Sequence, residues 1–261
     1  MIPRIHTYAA LATLVNLMVY AVAGFAPTTI PAPAISELPF HIEPGTTDQA
    51  VAQRVMDLLD LRLARPLHAF NISHDAAGRL TLDFYHANGR DRVTVLDRGR
   101  RLRVIATRAG FARYLSTLHV TTAAFRSGDW RLQLWAWYNE FAMWTLALLL
   151  ATGGWLLVKR RGRPGMARRT HWITAWTALP VLAIFTVTAI QMAHRGWLPP
   201  ISALDALHRG RSRWLAPLAS LQLLVLGATG LYFWTRSRAG AIVLACGVLI
   251  AGGLIVSMRW W

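Results

Sequence analysis

Residues 169–193 read RTHWITAWTALPVLAIFTVTAIQMA. From Trp172 to Ala193 no side chain is charged. At about 1.5 Å per residue, such a run is long enough to cross a hydrocarbon core of about 30 Å as a helix. A second stretch aligns with it without a gap. Residues 4–26 read RIHTYAALATLVNLMVYAVAGFA, so Arg4 meets Arg169 and His6 meets His171. Ala10, Leu14, Leu17 and Val22 meet Ala175, Leu179, Leu182 and Val187. The chain thus carries two related spans, each opening on Arg-x-His.

Working outward, three further apolar runs appear. The set is 7–26, 134–158, 172–193, 214–235 and 240–258. We assign the segments 1–26, 131–158, 172–193, 214–235 and 240–258 to transmembrane helices. With 54% hydrophobic residues and a mean hydropathy of +0.35, the 261-residue chain is too apolar for an ordinary soluble domain. Ala21-Val22-Ala23 also offers a signal-cleavage pattern. The length of the first run and its place in the repeat favour a retained span.

The second and fourth spans also correspond. Each follows an L-x-x-L-H segment, Leu115-Ser116-Thr117-Leu118-His119 in one and Leu204-Asp205-Ala206-Leu207-His208 in the other. Each carries Ala-Thr-Gly towards its far end, at 151–153 and 228–230. The chain reads as a duplicated helical hairpin, with a polar domain inserted in the first copy and a fifth span appended.

The net charge of +16 invites a nucleic-acid reading, but its placement argues against one. Lys159, Arg160, Arg161, Arg163, Arg168 and Arg169 crowd one short linker, Arg236 and Arg238 another, and Arg4 precedes the first span. By the positive-inside rule these segments are cytoplasmic. The region 27–130, with 13 Arg against 10 Asp or Glu, is then extracytoplasmic. The loop 195–213, with four Arg and one acid, runs against this orientation, and the denser 159–169 cluster outweighs it.

Region 27–130 opens on a Pro-rich linker. Residues 46–61 then read as a helix with Thr46 or Thr47 as N-cap and an apolar stripe of Ala50, Val51, Val55, Leu58 and Leu59. Four short alternating segments follow, LHAFNIS, RLTLDFYHA, DRVTVLD and RLRVIAT, divided by the turn signals DAAG, ANG and DRG. A helix over 108–119 closes the region, with Phe111, Tyr114, Leu115 and Leu118 on one side. The fold class is a membrane all-α bundle of about five transmembrane helices with one inserted small extracytoplasmic α+β domain.

A helix-plus-strands unit between a first span and an LH-led span ending in Thr-Gly, followed by LHRGR and a span ending LGATGLYFW, resembles the PepSY-associated transmembrane helix proteins. The resemblance covers nearly the whole chain, and LHRGR and ATGLYFW are its most specific parts. It implies a bacterial inner-membrane protein with its PepSY domain in the periplasm. Some family members resemble b-type haem reductases of ferric siderophores. The interiors of the second and fourth spans, however, carry no histidine, and the second opens WAWYNEFAMW.

Of the nine histidines, His41, His68, His74 and His86 fall in the polar region and read as solvated surface residues. Five lie at membrane edges. His6 and His171 are equivalent on the cytoplasmic side, and His119 and His208 on the external side. His194 ends the third span, 23 positions after His171, about 35 Å along a helix. Haem b takes two axial imidazoles from facing helices. We therefore read His6, His171, His119 and His208 as candidate ligands of haem iron, for one or two haems, with His194 as the substitute external ligand.

The remaining polar residues of the spans, Asn16, Asn139, Glu140 and Gln191, should face the bundle. Glu140 suits a proton relay or an interhelical hydrogen bond, and Pro180 should bend the third span. Twelve Trp, many at span ends, read as interface anchors, with Trp135, Trp137 and Trp144 able to stack on a porphyrin. The lone cysteine, Cys246, excludes an internal disulfide, and no C-x-x-C-H attaches a c-type haem. No dinucleotide fingerprint, P-loop or zincin motif is present. Electrons for a reductase must come from a cytoplasmic donor or a quinol, with a ferric siderophore as the external acceptor. The other readings are a non-enzymatic anchored PepSY module that binds or regulates an external partner protein, and an accessory subunit of a metal-uptake system.

Overall fold

The computed structural model describes residues 1–25, 32–64, 71–159, 165–194, 214–235 and 238–259, together with Trp197, Ala203 and Ala206. His68, His208 and most of the linkers around 160–164 and 195–213 lie outside the described residues.

Among the described residues, five helices are long and apolar enough to cross a membrane. They are α1 (Ile2–Ala23), α4 (Trp130–Lys159), α5 (Met166–Ala193), α6 (Leu215–Trp234) and α7 (Arg238–Arg259). The chain is a multi-pass membrane protein. Helices α1, α4, α5 and α6 close a ring in which α1 packs on α4, α4 on α5, α5 on α6 and α6 on α1. Neighbours run antiparallel, so the two proposed hairpins are the α1–α4 and α5–α6 pairs. Close approach rests on small residues. A Cβ at Gly24 would lie 1.9 Å from Ser220 Oγ, and one at Gly227 would lie 2.5 Å from Met18 Cε. Pro180 lies inside α5, which continues as one helix through it. Cys246 is exposed on α7.

The polar region forms a five-stranded antiparallel sheet in the order β1-β5-β4-β3-β2. The strands are β1 (Ala34–Pro39), β2 (Ile72–His74), β3 (Leu80–His86), β4 (Gly89–Leu96) and β5 (Arg101–Arg108). Helix α2 (Asp48–Leu58) covers one face, its Thr47 hydroxyl accepting from Ala50 N at 3.3 Å. Val51, Ala52 and Val55 pack there on Leu80, Leu82, Phe84, Val93, Val95, Leu102 and Val104. The other face is polar, with Glu37 bridging Arg101 and Arg103, and Asp83 bridging Arg90 and Arg92.

Two expectations are corrected. The linker at 34–39 is a strand, β1, pairing with β5 from Ala34↔Ala106 to Pro39↔Arg101. It lies at the sheet edge, almost wholly exposed, so it lacks the buried alternation that marks a strand, and an edge tolerates proline. His86 is buried rather than solvated. It sits within 3.2 Å of Asp91 and 3.3 Å of Arg108, forming a charged cluster beneath the β3–β4 turn. That turn needs Gly89, whose φ is +150° and where a Cβ would lie 2.0 Å from Thr107 O.

Helix α3 (Phe111–His119) joins the domain to the bundle. Tyr114, Leu115 and Leu118 are buried with Ala87, Val19, Trp135, Ile255 and Met258, whereas Phe111 is exposed. The Trp135 indole donates to Leu118 O at 3.1 Å. The Asn139 amide donates to Leu118 O and Thr121 O at 2.6 and 2.7 Å, so Trp135 and Asn139 cap the end of α3. Three side chains from the domain end grip the last carbonyls of α7. Tyr114 Oη donates to Ile255 O at 2.6 Å, Arg131 Nη1 to Ser257 O at 3.0 Å and Asn88 Nδ2 to Arg259 O at 2.9 Å.

Candidate functional site

The Arg-x-His and Ala-Thr-Gly motifs meet in space. His6, in the first turns of α1, faces Thr152 near the end of α4, with Nδ1 2.9 Å from Oγ1. His171 on α5 faces Thr229 on α6 in the same way, at 2.7 Å. Antiparallel packing within each hairpin brings the start of one helix against the end of the other, so the repeat produces the same pair twice.

The threonines decide the state of each ring. Thr152 Oγ1 donates its single proton to Leu148 O at 2.7 Å, and Thr229 Oγ1 donates to Val225 O at 2.7 Å. Each hydroxyl can therefore only accept from the histidine, which places the imidazole proton on Nδ1. In the neutral form of either ring, Nε2 would then carry the free lone pair. That is the second-sphere arrangement metal-ligating histidines use, one nitrogen donating to a fixed acceptor while the other faces the metal. Gly153 keeps room beside the first ring, since a Cβ there would stand 3.3 Å from His6 Cε1. At the second ring Phe233 lies edge-on at 6.1 Å between centroids. Both His–Thr pairs stand at the end of the bundle that carries Arg4, Arg168 and Arg169.

The external candidates differ from one another. His119 ends α3 and lies edge-on to Tyr20, with ring centroids 4.5 Å apart. His194 follows α5 and hydrogen-bonds through Nε2 to Glu140 Oε1 on α4. Trp144 Nε1 donates to the same oxygen at 3.1 Å. Trp197 stacks on His194 at 4.4 Å. The His194 nitrogen that iron would take thus faces a carboxylate. His208, the repeat mate of His119, lies outside the described residues. Glu140 makes the interhelical hydrogen bond expected of it as one of two roles. Trp135 is wholly buried as a cap, while Trp137 and Trp144 are exposed towards the bundle surface.

Among the described residues no three His, Cys, Asp or Glu side chains converge. Both repeated motifs were visible in the sequence, but their pairing was not. What the one-dimensional pattern lacks is the antiparallel register that joins them. No family model, no curated protein and no solved structure matches the chain. What fold and site define is a multi-pass membrane protein with a small α+β domain at one end and a duplicated His–Thr pair at the other.

Proposed function

We propose that the protein is a PepSY-associated inner-membrane protein that moves electrons across the bilayer to an extracytoplasmic acceptor such as a ferric siderophore. His6 and His171 would hold haem b through their Nε2 atoms. Haem b supplies reversible one-electron chemistry when bound. Thr152 and Thr229 hold each imidazole in one tautomer and one orientation. The observation that carries this reading is the repeated His–Thr hydrogen bond, with both hydroxyl protons committed to backbone carbonyls. The PepSY assignment rests on the sequence resemblance. His119, His208 and His194 remain candidates for a second site on the other side.

The test is vectorial. Purified protein is placed in sealed liposomes with reductant inside and a ferric chelate outside. Ferrous product should appear outside, and should fall to the protein-free rate in His171→Ala. A wild-type rate equal to empty liposomes, in protein loaded with haem, would overturn the proposal.

A second reading has its own support. The polar sheet face bearing Glu37, Asp83, Arg92 and Arg103 is uncovered, and it suits a non-enzymatic domain that docks an extracytoplasmic protein. Haem-free protein that assembles fully in a haem-replete cell would favour that reading.

A further inference from the structure

Helix α7 stands outside the ring, and side chains from the domain end hold its last turns. Its last turns are held by Tyr114, Arg131 and Asn88 and buried at Ala251, Ile255 and Met258. Towards its start the helix is open, with Ile242 and Val243 63% and 59% exposed. Between this first half of α7 and the ring lies a cleft of about 320 Å³. Leu11, Val15, Tyr138, Val243 and Gly247 line it, with Trp234 at the end of α6. Its size falls at the low end of small-molecule pockets, roughly 300–1,000 Å³. Two tyrosines line it, and the Tyr138 hydroxyl already donates to Ala12 O at 2.9 Å. The rest of the lining is apolar, so the interior asks for hydrocarbon.

The mouth asks for negative charge. Arg4 precedes Tyr8 of the cleft wall by one helical turn on the same face of α1, and Arg238 opens α7. Both are exposed. Every acidic residue of the chain lies between 37 and 140 or at 205, so segments 1–26 and 206–261 supply no counter-ion. Near a bilayer surface each such cation attracts anionic headgroups.

We infer that this cleft is a binding site for an anionic phospholipid, one acyl chain lying between α1 and α7 and the phosphate resting on Arg4 and Arg238. The site is separate from the histidine pair. His6 lies two residues from Tyr8, about 160° away around α1, so it faces the other side of the helix. Loss of lipid binding and loss of haem are therefore distinguishable.

The test is native mass spectrometry of the full chain after exchange into mixed micelles of phosphatidylglycerol and phosphatidylcholine. Wild type should retain one phosphatidylglycerol per chain, in at least ~tenfold preference over phosphatidylcholine. Nothing lies within 4 Å of a Cβ at Gly247, so Gly247→Leu grows into the cleft. It should abolish retention at an unchanged thermal midpoint. Val243→Phe, at an exposed wall position, should do the same and serves if Gly247→Leu does not fold. The double variant Arg4→Gln/Arg238→Gln should keep lipid but lose the preference. Leu249→Phe, on a highly exposed part of α7, should change nothing. Equal retention of both lipids by wild type, or wild-type retention in folded Gly247→Leu and Val243→Phe, would overturn the inference.

Discussion

His171 Nδ1 stands 2.7 Å from Thr229 Oγ1, and 165 positions earlier His6 stands 2.9 Å from Thr152 in the same way. Two unrelated membrane-edge histidines would have no reason to share a partner type, a ring nitrogen and a threonine back-bonded to its own helix. Duplication of one hairpin accounts for all three.

Removing either hydroxyl should loosen the ring it holds. Thr152→Val and Thr229→Val keep shape and lose the acceptor. Each is expected to weaken haem retention, in the range of about 10–100-fold seen when outer-sphere partners of metal ligands are removed. Thr→Ser at the same sites should retain most of it. Haem content during titration with a competing apoprotein measures the effect.

The grip on α7 should be measurable as stability. Tyr114→Phe removes the hydrogen bond to Ile255 O and is expected to cost about 1 kcal/mol. Arg131→Met should cost more, about 1.5–3 kcal/mol, because it removes a charged donor to Ser257 O and the partner of Asp129. Thermal midpoints in detergent check the order.

Acid should strike the domain through Asp91. Burial pushes its carboxyl up, but the hydrogen bonds from His86 and Arg108 outweigh burial and hold it below the usual carboxylate range. A depressed folded-state pKa contributes stability that is present above the unfolded value of about 3.9 and is lost as pH falls through the folded value. The thermal midpoint should therefore drop below about pH 4, and Asp91→Asn should lower it at neutral pH while flattening the acid limb. An unchanged acid limb in Asp91→Asn would contradict this.

Asn16 is wholly buried in α1, and neither amide atom has a hydrogen-bond partner among the described residues. The repeat places Val181 at the equivalent position. Asn16→Val should raise the thermal midpoint, reflecting about 1–3 kcal/mol recovered from an unsatisfied buried group. A fall would show that the amide binds something within the bundle.

Much of this architecture was legible in the chain itself. Apolar runs marked the five spans, and period-two alternation with DAAG, ANG and DRG turns marked β3, β4 and β5. Strand β1 was not legible, because an exposed edge strand buries no alternate side chains and Pro39 is tolerated there. Burial of His86 depends on where Asp91 and Arg108 fall across the sheet, and local pattern carries no such information. The candidate site was half legible. Repetition singled out His6 and His171, while their threonines required helix packing to be known. The docking of α7 by Tyr114, Arg131 and Asn88 joins residues more than 120 positions apart, beyond any local signal.

The central claim is that His6 and His171 carry haem b. The most direct measurement is the reduced-minus-oxidised absorption spectrum of the protein purified from haem-replete cells, beside His6→Ala and His171→Ala at equal protein. A b-type α-band in wild type that is lost or reduced by at least one full haem equivalent in each variant is the expected result. Fully assembled wild-type protein with no such band, or a band of unchanged height in both variants, would contradict it.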